Sequence, residues 1–308
     1  MAEFLADDID FAAYERETEC QVLVRKASVF LDDLDAEFEP GLRKQAPAMR
    51  STKLRHVIEF RPGEVTVWAG YNGHRKSMFT GQVALDLCAQ DQRTLLLSLE
   101  MPPGKTLARM AQQANAGAPN AARRRDFMRW TDNRLWLFDH IGRLTPTRCV
   151  AVLRYFAQEL KGAHVFIDSF MKVVESEEIM DQQKAMVGNL CDVAKETGLH
   201  VHLVAHCRKP NGGSEDKPPT KYDIKGSGAI SDQSHNVVLL WDNKLKRAEQ
   251  DKTIPKAEVL QQPDFLVVLD KQRNGSVEGK FGLHFDPLSL RFSDHAGDVH
   301  PYDMEAVL

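Results

Sequence analysis

The stretch Gly70-Tyr71-Asn72-Gly73-His74-Arg75-Lys76-Ser77 follows an apolar run, Val65-Thr66-Val67-Trp68-Ala69, and opens a segment that reads as helix from Lys76 to about Gln90. It matches the phosphate-binding loop pattern G-x-x-x-x-G-K-[ST] everywhere except one place, where Arg75 stands for the second glycine. A strand that ends in a loop and then a helix N-terminus aims backbone N–H groups and a partial positive charge at an anion. In such a loop Lys76 reaches the outer phosphates of a nucleotide and the Ser77 hydroxyl sits on Mg2+, with Gly70 to Ser77 and Met78 lining the nucleotide. The same residues also read as an ordinary Gly-rich turn between a strand and a helix. The rest of the chain has to decide between the two.

Outward from this loop the chain alternates apolar runs with helical patterns. Strands are expected at Val65–Ala69, Thr94–Leu99, Leu135–Phe138, Val165–Ile167, His200–Ala205, Asn236–Trp241 and Phe265–Leu269. Thr145-Pro146 supplies an N-cap followed by proline at the first helical position, and Gly162 is expected to close that helix. Asp181 is expected to cap a second helix that ends at Gly198. Near-continuously apolar strands separated by helices predict a mostly parallel sheet covered on both faces. Asn274-Gly275, between Phe265–Leu269 and Phe281–Phe285, is a hairpin signal, and Leu288–Phe292 adds a short strand. The fold class is therefore α/β, with an antiparallel β-hairpin at the C-terminal end.

Composition sets limits on function. With 308 residues, 43% of them hydrophobic, the chain can bury a substantial core. A net charge of −4 advertises no polyanion partner overall, although a cleft or ring needs basic residues only on its lining. The five scattered cysteines include no C-x-x-C pair, which argues for reduced thiols and a cytoplasmic setting. Residues 1–18 are acidic, the wrong charge for a leader, and no apolar stretch approaches a membrane span. Residues 1–53 read as an N-terminal arm and linker, with an imperfect helical period in Val22-Leu23-Val24, Val29-Phe30-Leu31 and Leu34. Residues 54–294 read as the globular domain and residues 295–308 as a tail.

Ligands of such sheets bind at the carboxyl ends of strands. Glu100 follows one strand and can act as the general base on an attacking water. Asp168 follows Val165-Phe166-Ile167 in the manner of a Walker B carboxylate that orients Mg2+. His206 follows His202-Leu203-Val204-Ala205 and can sense the γ-phosphate. Phosphoryl transfer needs this set of parts: a loop for the phosphates, a metal ligand, a base and a sensor. From Arg208 to Lys225 there are five Lys/Arg against three Asp/Glu, and Lys225-Gly226-Ser227 allows close approach of a phosphodiester backbone. Arg208, Lys209, Lys225, Gly226 and Ser227 are accordingly the candidate DNA-binding residues. An arginine at the hairpin tip Lys271-Gln272-Arg273-Asn274-Gly275 is either an ordinary exposed charge or an arginine finger for a neighbouring subunit.

Leu97-Ser98-Leu99-Glu100-Met101-Pro102, Gly226-Ser227-Gly228-Ala229-Ile230 and Lys271-Gln272-Arg273-Asn274-Gly275 together resemble the RecA-like ATPase domain of DnaB-type replicative helicases. The likeness extends to the helicase halves of phage primase-helicases and the mitochondrial Twinkle helicase, and covers residues 55 to 293 in the same order. It implies a homo-hexameric, ATP- and Mg2+-dependent motor on single-stranded DNA. Lys76, Glu100, Asp168, His206 and Arg273 would be its catalytic residues, and Lys271 and Arg273 would act on the neighbour's ATP. It also implies a host-cytoplasmic setting if the protein is phage-encoded. Two departures stand out. No primase or collar domain is evident before the motor, so a primase or loader is expected on another chain. Arg75 replaces a glycine that often takes a positive φ, a conformation costing a residue with a Cβ about 1 kcal/mol or more. Its charge can add a phosphate contact, its side chain can point out of the loop, or it can crowd the nucleotide and slow turnover. The runner-up function is a RecA-like DNA-binding ATPase serving as a nucleotide-switched scaffold or loader. A recombinase filament stands third.

Overall fold

The computed structural model describes residues 26–38, 46–174, 179–210, 213–226, 228–254, 256–275 and 277–304. Val22-Leu23-Val24 and Ser227 lie outside them. Among the described residues the strands are β1 (Val65–Gly70), β2 (Thr94–Ser98), β3 (Leu135–Leu137), β4 (His164–Asp168), β5 (His200–His206), β6 (Asn236–Asp242), β7 (Phe265–Gln272), β8 (Gly279–Asp286) and β9 (Arg291–Ser293). They form one sheet in the order β3-β2-β4-β5-β1-β6-β7-β8-β9. From β3 to β6 every pairing is parallel, and from β6 to β9 every pairing is antiparallel.

All six residues of β1 and all seven of β6 are buried, as expected for strands covered on both faces. One apolar cluster, around Val67, Leu97, Ile167, Val201 and Leu239, fills one side. A second, around Trp68, Phe79, Leu96, Phe166 and Phe265, fills the other. Side chains of opposite parity along each strand supply the two.

The helix signals hold in most particulars. Thr145 accepts a hydrogen bond from the Arg148 N–H and Pro146 opens the helix Pro146–Gln158. That helix stops before the expected Gly162, because the chain turns at Lys161, whose φ is 51°. The helix Met180–Thr197 begins one residue ahead of the expected cap. Ile179 takes the N-cap position, and Asp181 sits in the first turn, where its charge complements the helix dipole. Gly198, with φ 75°, closes it as expected. The last strand is Arg291–Ser293 rather than Leu288–Phe292, since Leu288 is exposed in the preceding turn.

The residues that flank the sheet in sequence, 48–52 and 294–302, pack onto it. Met49 is buried, Ala48 bridges Glu59, and the Asp294 carboxylate accepts hydrogen bonds from the Ser51 hydroxyl (2.5 Å) and the Thr52 N–H (2.6 Å). Tyr302 is buried and donates to the Asp86 carboxylate at 2.5 Å. Upstream, the helix Leu31–Phe38 leaves Leu31, Leu34 and Phe38 exposed. No described helix is long and apolar enough to cross a membrane.

Candidate functional site

β1 delivers Gly70 to the carboxyl edge of the sheet, between β5 and β6. A Cβ on Gly70 would lie 2.3 Å from the Leu240 carbonyl oxygen, so the close approach of these two backbones requires glycine. The chain then turns through Gly73, with φ 72°, and Arg75, with φ 57°, before the helix Lys76–Cys88 begins. Arg75 is thus in the left-handed conformation that the missing glycine would take. Its guanidinium stacks on the Phe285 ring at 3.6 Å and lies 3.5 Å from the Asp242 carboxylate, which also pairs with Arg247. Of the alternatives open from sequence, the side chain points out of the loop. A cation–π contact of about 1 kcal/mol offsets a left-handed penalty of similar size.

Lys76 is buried, and its Nζ donates to the carbonyls of Gly70 (3.0 Å) and Tyr71 (2.9 Å). Burial pushes its pKa down, opposed by the nearby Asp168 carboxylate. Asp168 ends β4, and burial pushes its pKa up while a hydrogen bond from the Ser77 hydroxyl opposes the shift. Ser77, Asp168, Ser98 and Thr106 border a cavity of 30 Å³ between β2, β4 and the phosphate loop. A hydroxyl and a carboxylate are hard oxygen donors of the type Mg2+ takes in company with substrate phosphates. Among the described residues no three His, Cys, Asp or Glu gather to hold a metal by themselves. A cation shared with the phosphates therefore suits this donor set better than an all-protein cage.

Glu100 is exposed just past β2 and accepts a hydrogen bond of 2.8 Å from the hydroxyl of Ser169, the residue after Asp168. His206 ends β5 in register with Gly70, which brings it beside the phosphate loop. Asn72, Glu100, His206, Arg208, Lys209 and Lys225 all border one open cavity of 480 Å³. The segment after Asp223 is stitched to the end of β5. The Lys225 N–H donates to the His206 carbonyl (2.7 Å), the Arg208 N–H to the Asp223 carbonyl (2.7 Å), and the Arg208 guanidinium to the Gly226 carbonyl (3.1 Å).

Two cations of this cavity, Arg143 and Lys172, were missed in the sequence. Arg143 follows β3 by several residues. Its loop returns because Gly142 N–H bonds the Leu99 carbonyl and Leu144 N–H bonds the Lys172 carbonyl, both at 2.9 Å. The rule of reading strand ends could have found it had it been applied to the whole loop after β3.

Lys271 and Arg273 lie elsewhere. β7 runs antiparallel to β6, with Gln272 paired to Asn236 and Phe265 to Asp242. The hairpin therefore emerges at the edge opposite the phosphate loop. At about 3.3 Å per residue along β6, the two regions are separated by roughly 20 Å. Lys271 Nζ donates to the carbonyls of Ser231 (2.7 Å), Asp232 (2.8 Å) and Ser234 (2.9 Å), at the end of the short helix Ala229–Gln233. Its three donors are committed within the chain. Arg273 is exposed; its guanidinium donates to the Asp232 carbonyl at 3.1 Å and its backbone N–H to the His235 carbonyl at 2.9 Å.

Residues 43–212, more than half of the chain, match the family model for the AAA domain. Among solved structures, the chain is similar to the ATPase domain of G40p, with a TM-score of 0.70 and 16% identity over 88% of this chain and 100% of that one. It is also similar to a DnaB-like replicative helicase whose structure was described with its interactions with primase, with a TM-score of 0.64 and 16% identity. That match covers 76% of this chain and 59% of the helicase. The fold is the RecA-like fold of DnaB-type ATPase domains, as the sequence resemblance implied.

Proposed function

The chain belongs to the AAA-domain family, and from that premise we propose that it is a ring-forming, ATP-dependent DNA helicase that translocates on single-stranded DNA. The observation that carries the proposal is the separation of Arg273 from the phosphate loop of its own chain. An arginine finger at that distance serves a nucleotide only across a subunit interface, which calls for head-to-tail assembly of copies, here a homo-hexamer. Lys76 and the loop Gly70 to Met78 hold ATP. Ser77 and Asp168 would hold Mg2+, which would supply charge neutralisation for phosphoryl transfer. Glu100, oriented by Ser169, takes the proton of the attacking water, and His206 contacts the γ-phosphate.

Arg208, Lys209, Lys225, Gly226 and Ser227, joined by Arg143 and Lys172, hold the phosphodiester backbone of single-stranded DNA. Residues 54–294 form the motor, residues 1–53 an N-terminal arm and linker whose Met49, Ser51 and Thr52 pack on that motor, and residues 295–308 a tail anchored through Tyr302. The protein works in the cytoplasm, that of the host if it is phage-borne, and a primase or loader is its proposed partner.

The test is ATP hydrolysis by the assembled protein with and without single-stranded DNA, together with strand displacement on a forked duplex. DNA-stimulated hydrolysis and unwinding are expected. Hydrolysis without either response would replace the helicase with the nucleotide-switched scaffold.

A further inference from the structure

His74 occupies a position of the phosphate loop that the motif leaves unspecified, and it is fully buried. The Asp242 N–H donates to its Nδ1 at 3.1 Å, so that nitrogen carries no proton and the ring is the neutral Nε2–H tautomer. Nε2–H then donates to the Glu215 carboxylate at 2.9 Å. Burial holds the imidazole pKa below its ordinary value, consistent with that neutral form. Glu215 lies in the 213–222 stretch between the residues proposed above to face DNA, Arg208 and Lys209 on one side and Lys225 on the other. It is held from two further sides: Lys244 Nζ donates to the same carboxylate oxygen at 2.8 Å, and Trp241 Nε1–H donates to the Glu215 carbonyl at 2.8 Å. Trp241 and Asp242 end β6, the strand whose Leu240 carbonyl packs against Gly70. One buried imidazole therefore joins the phosphate loop, the end of β6 and the basic segment.

We infer that His74 and Glu215 form a latch through which the position of the 213–222 segment sets the geometry of the phosphate loop. The inference rests on the reading of the residues that flank that segment as DNA-facing and of Gly70 to Ser77 as the nucleotide loop. Both are positioning residues. A single strand that pulls on the neighbouring lysines displaces Glu215, and His74 passes that displacement to the backbone N–H groups that would meet the phosphates. By linkage, nucleotide on the loop must change the stability of the segment by the same factor as the segment changes nucleotide affinity. A hydrogen bond to a charged group sets that factor at about tenfold.

The experiment uses the full chain and has two arms. In the first, amide hydrogen exchange of residues 213–222 is followed with and without a non-hydrolysable ATP analogue and Mg2+. Exchange is expected to change about tenfold in the wild type and less than twofold in Glu215→Ala. In the second, stimulation of hydrolysis by single-stranded DNA, taken as the ratio of the rates with and without DNA, is expected to fall about tenfold in Glu215→Ala. Lys244→Ala removes the cation on the carboxylate but not the phosphate-loop bond, and should keep the stimulation. An equal loss in Lys244→Ala would assign the effect to anchoring of the segment in general and overturn the latch. Analogue binding with unchanged exchange in the wild type would overturn the latch alone. Failure to bind the analogue at all would overturn the nucleotide reading and the latch with it. If hydrolysis ignores DNA, the helicase reading falls while the exchange arm still judges the latch.

Discussion

The two ends of the sheet use their cations in opposite ways. At the carboxyl edge, Lys76 rests on carbonyls of the loop that would hold phosphate, and five further cations border the open cavity beside Glu100 and His206. At the far edge, Lys271 gives all three donors to the end of a short helix, while the Arg273 side chain stays exposed. The first end is a surface prepared for an anion. The second is a rigid mount for one arginine. β6 keeps the two ends apart within one chain. In the proposed ring, each end would complete a phosphoryl-transfer site only with a second copy.

The sharpest way to break this comparison is Arg273→Ala. An arginine finger contributes about 10³-fold or more to turnover, so hydrolysis by the assembled variant should fall by about that factor. Binding of an ATP analogue by the variant's own phosphate loop should stay within about threefold, because the loop is on the other edge. Mixing Arg273→Ala with Lys76→Ala subunits should restore part of the hydrolysis, since some interfaces then pair an intact loop with an intact arginine. No recovery over a range of mixing ratios would remove Arg273 from the neighbour's site and leave it an exposed surface charge.

A smaller effect tests the carboxyl edge. In Gly70→Ala the new methyl must displace the Leu240 carbonyl, and neither strand can yield without losing its pairing. A cost of about 3 kcal/mol is expected, read as a lowered midpoint of urea unfolding. Gly73→Ala meets no atom within 4 Å and suffers only its positive φ, so it should cost about 1 kcal/mol. Equal costs would mean that the β1–β6 approach does not shape the loop.

Between the two ends lies a buried layer of imidazoles that sharpens the contrast through pH. The Trp68 indole N–H donates to His202 Nδ1 at 3.2 Å, and His202 Nε2 meets His164 Nδ1 at 3.3 Å. His200 meets the Arg61 carbonyl at 2.7 Å and the Thr66 hydroxyl at 2.9 Å. Burial lowers the pKa of all three, that of His200 to about 4. A histidine freed by unfolding takes up a proton near pH 6.5 that the folded one refuses. Stability is therefore intact above that pH and is lost as pH falls toward 4. Between pH 7 and 5 His200 alone should cost about 2 kcal/mol. Asp86 works in the opposite sense, because burial raises its pKa. The difference in pH slope between wild type and His200→Gln isolates the histidine. A wild-type slope no steeper than that of the variant would mean His200 is protonated in the fold.

Much of this was legible in the sequence because the signals were local. Apolar runs gave the seven leading strands, and Thr145-Pro146 and Gly198 gave helix ends through backbone chemistry confined to a few residues. The residues after each strand were legible for the same reason, since parallel strands deliver their C-terminal ends to one edge. What stayed hidden depended on pairings across the chain. Nothing near Lys271 in sequence reveals the carbonyls of Ser231, Asp232 and Ser234 that it caps. Asp181 looked like a cap because its side chain is right for one, yet the backbone at Ile179 is what leaves the helix. Arg75 looked like a flaw because Phe285, its partner, lies more than two hundred positions away.

That partnership gives the smallest and most discriminating prediction. Arg75→Gly relieves left-handed strain of about 1 kcal/mol but loses a cation–π contact of similar worth, and glycine adds about 0.5 kcal/mol of unfolded-state entropy. Asp242 keeps Arg247 as its partner. The sum is a loss under about 1 kcal/mol, a fall in Tm of about 2 °C. Hydrolysis should stay within about threefold, because the guanidinium is turned toward β8 and not toward the phosphate face. A rise above about tenfold would mean the arginine returns to the loop and restrains the motor, since removing a side chain that never meets the nucleotide cannot accelerate its hydrolysis so far. Phe285→Leu separates the cases. It removes the ring that holds the guanidinium, so hydrolysis should fall if the released arginine crowds the nucleotide and recover in Phe285→Leu with Arg75→Gly. If the double variant is no better than Phe285→Leu, the stack on Phe285 serves the fold of the carboxyl edge and not the openness of the phosphate loop.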